Sequence, residues 1–221
     1  MGRFVVVLFI VVLSATIIVL VHPTLFLVDS LIWEGTNYLD ELHLERYIGF
    51  EPVNILKFAP MRRLRKLRDH PWIQSASLTW SWPNIITVSL EERRPLAMVP
   101  VDDSWLLLDE KGALMPPPVG IDMYTLPIVT HIDLQSQSMR RTTSRVLQAI
   151  PPDLMDAISE WNGADRALIT REGTRVLIGD LQEIHRKFEL VQLILEDLAA
   201  QGERARQVDV RVLRNPTVIR R

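Results

Sequence analysis

The chain has 221 residues, is 48% hydrophobic, carries a formal charge of −2 at neutral pH and contains no cysteine. That length leaves room for one or two domains. The missing thiols exclude disulfide frameworks, cysteine nucleophiles and cysteine-ligated zinc, and the near-neutral balance gives no general pull towards nucleic acid.

The run 4–21 is apolar apart from Ser14, Ala15 and Thr16, and the first acidic residue is Asp29. As a helix it would extend roughly 27 Å, close to a hydrocarbon core of about 30 Å. A single transmembrane helix is expected over 4–22, with 1–3 as a short cytoplasmic tail. A cleaved leader fits less well, because His22-Pro23-Thr24 offers no small-x-small cleavage site. Arg3 precedes the run while Asp29, Glu34, Asp40 and Glu41 follow it, so the positive-inside rule puts the bulk of the chain outside.

Residues 25–33 are rich in β-formers and predict a strand ending at Glu34-Gly35. Asp40 as N-cap, Leu39 and Leu44 as a hydrophobic staple and Gly49 as terminator predict a short helix. A second helix is placed between Pro60 and Pro71, with Met61, Leu64 and Leu67 as its buried stripe. Its other face carries Arg62, Arg63, Arg65, Lys66 and Arg68. That face suits a solvated helix surface, and anionic lipid and nucleic acid are the charged alternatives.

Next come Trp72, Gln74, Ala76, Leu78, Trp80 and Trp82 at even positions, with serines and a threonine between them from Ser75 to Ser81. This is the period of a half-buried strand. Trp82-Pro83-Asn84 supplies a turn. Ile86, Val88 and Leu90 then alternate with Thr87, Ser89 and Glu91. A lone hairpin is marginal in water, so the two helices are needed to cover its apolar face. The predicted order is β-α-α-β-β.

Beyond Pro95, strands are predicted at 96–101 and 105–108, joined by a turn at 109–112, and at 126–130. Pro116-Pro117-Pro118 is a rigid break, and Met139, Val146, Leu147 and Ile150 mark a helix that stops at Pro151-Pro152. Residues 166–170 and 174–179 pair across Arg171-Glu172-Gly173. Asp180 and Glu183 form a D-x-x-E capping pattern for a helix with Ile184, Phe188, Val191, Leu195 and Leu198 on one face, ended by Gly202. Val208, Val210 and Val212 predict a strand at or beside a sheet edge, followed by an Asn215-Pro216 bend and a short strand over 217–219.

Chemistry is hard to find. His22, His43, His70, His131 and His185 lie far apart without ligand spacing. Asp102-Asp103 and Asp109-Glu110 are carboxylates in turns, not opposed across a cleft. Nucleophile-elbow and phosphate-loop motifs are absent. No catalytic, cofactor or metal site is expected, and the reading is a non-enzymatic binding protein.

Several segments resemble the FtsQ/DivIB family of bacterial cell-division proteins. These are Trp33-Glu34-Gly35, Asn54-Ile55-Leu56, Pro71-Trp72-Ile73 with Ala76, the Trp82-Pro83 turn, and Ile86-x-Val88-x-Leu90-x-Glu92-Arg93-x-Pro95-x-Ala97. Leu107-Leu108-Asp109-x-x-Gly112, Leu126-Pro127 and Asp209-Val210-Arg211 add weaker likenesses. The resemblance implies an α+β chain: the membrane helix, a POTRA domain over 25–94, and a mixed α/β partner-binding domain with an antiparallel sheet over 95–221. It implies a bitopic scaffold of the divisome, embedded in the cell inner membrane with its bulk periplasmic and placed at the septum. FtsB and FtsL-type proteins would dock by strand addition, other divisome components through the POTRA domain, and nucleic acid not at all. Carried onto this chain, the docking residues are Arg211, Val212, Arg214, Asn215, Thr217, Val218 and Ile219. Val212 stands where the family often has an aromatic, and Asn215-Pro216 where it often has a glycine. The competing expectation is a POTRA-bearing factor for outer-membrane protein biogenesis or secretion, though no succession of barrel strands follows.

Overall fold

The computed structural model describes residues 2–21, 26–118 and 125–221, with side chains only to residue 18 in the first segment. Met1 of the expected tail, His22 at the end of the expected span and Leu25 at the start of the expected strand lie outside the described residues. The chain divides into two units, Met1–Arg93 and Arg94–Arg221.

Helix α1 (Gly2–Val21) opens the first unit, and every side chain described in it is exposed. The expectation of a transmembrane helix is overturned here: among the described residues no helix is long and apolar enough to cross a membrane. Hydroxyl side chains interrupt its apolar run. Within that stretch Ser14 and Thr16 turn their hydroxyls back onto the carbonyls of Ile10 and Val12.

The expected strand over 25–33 is two short pieces, β1 (Leu27–Val28) and β2 (Leu31–Glu34). After α2 (Glu41–Ile48) comes β3 (Val53–Asn54), which pairs antiparallel with β1. A 3-10 turn (Ile55–Lys57) and α3 (Pro60–Arg68) lead into β4 (Ile73–Ser81) and β5 (Ile85–Glu92). The main sheet has the order β2-β5-β4, with β2 parallel and β4 antiparallel to β5. Leu31 and Trp33 are buried while Ile32 between them is exposed, the pattern of a sheet covered on one face. Leu44, Ile48, Leu64 and Leu67 of the two helices close the core against Ile73, Ala76, Ile86, Val88 and Leu90.

Local signals set the helix ends as the residues dictate. The Asp40 carboxylate accepts the His43 N–H at 3.0 Å, and Gly49 takes the left-handed conformation. Glu92 has a larger role than a strand end. Its buried carboxylate accepts the backbone N–H groups of Asn37, Tyr38 and Leu39 at 3.0, 2.7 and 3.1 Å, tying the loop before α2 to the end of β5. The same loop is held at Gly35, where a Cβ would stand 2.1 Å from the Leu90 carbonyl oxygen.

His70 is buried beside the Tyr47 ring, and its Nδ1 accepts the Trp72 N–H at 3.3 Å. Burial, with a smaller push from His43, holds its pKa below the ordinary 6.5 against an opposing pull from Glu92. Below pH 6.5 the unfolded chain therefore takes up a proton that folded His70 still refuses, and stability falls with pH until the folded pKa is passed. Urea unfolding across this range should show that fall in the wild type and a flatter dependence in His70→Gln.

The second unit runs β6 (Pro95–Val101), β7 (Ser104–Asp109), β8 (Leu114–Met115), β9 (Ile128–Thr130), α4 (Gln137–Gln148), α5 (Pro152–Ala157) and β10 (Ile158–Asn162). It continues with β11 (Ala167–Thr170), β12 (Arg175–Leu177), α6 (Ile184–Ala200), β13 (Ala205–Asp209) and β14 (Thr217–Arg220). One sheet holds all nine strands that it describes, in the order β14-β13-β12-β11-β10-β9-β6-β7-β8. The expected antiparallel sheet is corrected to a mixed one: β9 runs parallel to both β6 and β10, and β12 parallel to β13. For β9–β10 and β12–β13 the cause is the helices, since a crossover through α4 and α5, or through α6, returns the chain in its original direction. Phe188, Val191 and Leu198 of α6 and Val146 and Leu147 of α4 pack on Val99, Leu108, Val129, Leu168, Val176 and Val208.

The L-L-D-x-x-G segment is a packing device. The Asp109 carboxylate accepts from Lys111 and Ala113 at 2.9 and 2.6 Å, and a Cβ on Gly112 would lie 2.8 Å from the Arg141 backbone nitrogen. The D-x-x-E pattern does not cap α6. Glu183 sits in the left-handed region with no side-chain cap bond, and the Asp180 carboxylate instead accepts from Lys187 at 2.7 Å. Buried Lys187 spends its other protons on the carbonyls of Ile178 and Asp180, and its ammonium holds the Asp180 carboxyl below the usual range.

Candidate functional site

β14 is the outermost strand at one end of the nine-stranded sheet, and among the described residues nothing pairs with its outer side. It is antiparallel to β13, with Asp209 opposite Thr217, Val208 opposite Val218 and Gln207 opposite Ile219. Val208 and Val210 are both buried, and the Val210 N–H donates to the Leu177 carbonyl at 3.0 Å. Val212, placed on the same face by alternation, is 61% exposed, because the chain has already left the sheet. The Asn215 N–H closes a turn onto the Val212 carbonyl at 3.0 Å. Pro216 therefore precedes β14, where its missing N–H costs the ladder nothing.

The chain around this turn is fixed by charge. Arg211 donates from Nε and from a terminal guanidinium nitrogen to the Asp209 carboxylate, at 3.0 and 2.6 Å. The pair raises the arginine pKa and lowers that of the carboxyl. The stem of Arg211 crosses Gly179, where a Cβ would fall 2.9 Å from Arg211 Cγ. At the far end of β14, Arg220 pairs with Glu203 at 2.9 Å and the Arg221 N–H reaches the Arg204 carbonyl at 2.9 Å.

That last bond gives the polarity of the edge. Backbone groups of an antiparallel strand alternate inward and outward. With Arg221 directed inward, so are Ile219 and Thr217, and Val218 and Arg220 present their amides and carbonyls outward. All four side chains of β14 are exposed, Ile219 at 51%. Of the seven residues named from sequence, Thr217, Val218 and Ile219 lie on this strand, and Arg211, Val212, Arg214 and Asn215 form the turn that delivers it.

Beside the turn is an open cavity of about 500 Å³ lined by Asp180, Glu183, Arg186, Arg211, Val212 and Arg214, among others. The sequence reading missed Asp180, Glu183 and Arg186 as part of this surface, having assigned the first two to a helix cap. Among the described residues no group of histidines and carboxylates could hold a metal ion.

A family profile described as "Cell division protein FtsQ/DivIB, C-terminal" matches residues 97–211. A protein named cell division protein FtsQ from Anaeromyxobacter sp. (strain K) is 31% identical over 166 residues, which cover 68% of this chain and 55% of the relative. Another of that name from Myxococcus fulvus is 26% identical over 151 residues, 62% of this chain and 52% of the relative. The chain thus spans about half the length of these curated relatives. A solved extracytoplasmic domain of the cell division protein DivIB from Geobacillus stearothermophilus is similar at 15% identity and a TM-score of 0.38, covering 50% of this chain and 97% of that one.

Proposed function

The chain belongs to the FtsQ/DivIB family of bacterial cell division proteins, and on that premise we propose that it is a non-enzymatic scaffold of the divisome, acting at the septum by binding other division proteins. Its second unit takes an FtsB or FtsL-type partner by strand addition along β14, and so links early division proteins to the complex that drives septal wall synthesis. The first unit offers further surface to other divisome components.

The observation that supports this reading is the free edge of β14. An unpaired edge is a template for a strand of another chain, with backbone bonds giving affinity and flanking side chains giving specificity. Val212, Val218 and Ile219 supply apolar contact and Arg214 adds positive charge, while Arg211 is paired with Asp209. Val212→Glu puts a carboxylate into the apolar strip, and Thr217→Lys blunts the edge as natural edge lysines do. Both should abolish a bacterial two-hybrid signal with the FtsB-type partner while the chain accumulates normally. An unchanged signal in both would reject this surface. Depletion should give filaments, with a fluorescent fusion at midcell.

A further inference from the structure

One end of the first unit gathers large apolar side chains that neither the sheet nor its helices cover. Trp80 and Trp82 stand at the tip of the β4–β5 hairpin, the latter 76% exposed. Leu56 in the 3-10 turn and Met61 at the start of α3 are 65% and 69% exposed. Hydrogen bonds hold these segments together. Asn84 at the hairpin tip donates to the Leu27 carbonyl at 2.7 Å. Leu27 is opposite Asn54 across the β1–β3 pair, and Asn54 accepts the Leu56 N–H at 3.0 Å. The chain then turns through Ala59, at φ 52°, into Pro60 and α3.

α3 begins at this end with no acidic residue in its first turn. Lys57, Arg62, Arg65 and Lys66 are all exposed, and among the described residues none of them has a carboxylate within 4.0 Å. Arg63 is stacked over the Phe58 ring at 4.6 Å, where burial and neighbouring Arg62 lower its pKa. The exposed carboxylates nearby in the chain are Asp29, Glu51 and Asp69, fewer than the cations. An uncovered apolar cluster marks an interaction site. Indoles concentrate at the headgroup level of bilayers, and basic residues beside apolar ones bind surfaces of anionic lipid.

We propose that this end of the first unit docks on an anionic phospholipid surface. Trp80 and Trp82 enter the headgroup layer, Leu56 and Met61 touch its apolar edge, and Lys57, Arg62, Arg65 and Lys66 face lipid phosphates. This contact does not depend on strand addition at β14.

The test uses the full chain and vesicles of brominated phosphatidylcholine with or without phosphatidylglycerol. Because α1 exposes apolar side chains of its own, the readout is bromine quenching of tryptophan emission, not binding. In a Trp105→Phe background, needed because Trp105 is itself 45% exposed, quenching is expected on the anionic vesicles, and a Trp80→Phe/Trp82→Phe double variant should lose most of it, since Trp33, Trp72 and Trp161 are buried. Arg62→Glu with Arg65→Glu, both on exposed positions, should reduce the quenching severalfold, as should high salt. Equal quenching in the wild type and the double tryptophan variant would overturn the proposal. So would quenching indifferent to both charge reversal and phosphatidylglycerol. Protection of the two tryptophans only by an acidic protein, never by vesicles, would assign the surface to a protein partner instead.

Discussion

Glu92→Ala should cost the first unit roughly 3–5 kcal/mol, the effect of removing a buried charged acceptor from several donors at once. Three backbone N–H groups converge on this carboxylate within 3.1 Å, and alanine leaves all of them without it in a part-buried loop. A unit of this size has about 5–15 kcal/mol of stability, so the loss is a large share of it. By the usual scaling it corresponds to a fall in melting temperature on the order of 15–30 °C. Glu92→Gln keeps an acceptor oxygen but loses the charge, and should fall between wild type and alanine. Glu91→Ala removes a carboxylate that accepts the exposed Ser75 hydroxyl at 2.9 Å and should shift the melt by no more than a few degrees. Thermal unfolding of the three variants checks the order. Equal melts for Glu92→Ala and Glu91→Ala would show that the loop before α2 holds without its carboxylate.

The role of Glu92 was legible in outline. Ile86, Val88, Leu90 and Glu92 share one parity of β5, so alternation already sent a carboxylate to the covered face, where it needs donors. Which donors it finds depends on how the loop 35–39 is laid against the strand end, and that is a tertiary fact. The hairpin, Asp40 and Gly49 were readable because alternation and capping are local. The four parallel pairings were not, since nothing within a strand says which distant strand it will meet. The D-x-x-E motif misled for a related reason. Lys187, one turn into α6, offers Asp180 a stronger partner than a backbone amide, and the helix then starts without a cap bond. Trp80 and Trp82 were counted on the face the helices cover. The alternation was sound, but it does not say where along a strand the covering layer stops, and here the tip runs beyond it. For α1 the sequence pattern was apolar over 4–21 apart from Ser14, Ala15 and Thr16, whereas among the described residues no helix is long and apolar enough to cross a membrane. The docking residues came from the family resemblance, with edge position argued only from the valine alternation.

A pair of proline substitutions separates a partner that uses the β14 edge from one that merely lies near it. Val218 sends its N–H outward, because it lies three residues from Arg221 and so in opposite phase to it, and the Arg221 N–H bonds inward to the Arg204 carbonyl just before β13. Val218→Pro therefore removes a donor that the folded chain does not use, and proline is tolerated on an edge strand when its missing N–H faces out. The melting temperature should stay near wild type. An added strand, however, loses one backbone bond and meets the pyrrolidine ring, so affinity for an FtsB-type partner should drop at least about tenfold, some 1.4 kcal/mol. Ile219→Pro removes an inward donor from the β13–β14 ladder. It should cost roughly 3 kcal/mol, loosen the strand and abolish binding together with stability. Calorimetric titration beside thermal unfolding distinguishes the two. Retention of wild-type affinity by a stably folded Val218→Pro chain would mean that the partner does not extend the sheet, and that Arg211, Val212 and Arg214 contact it through side chains alone.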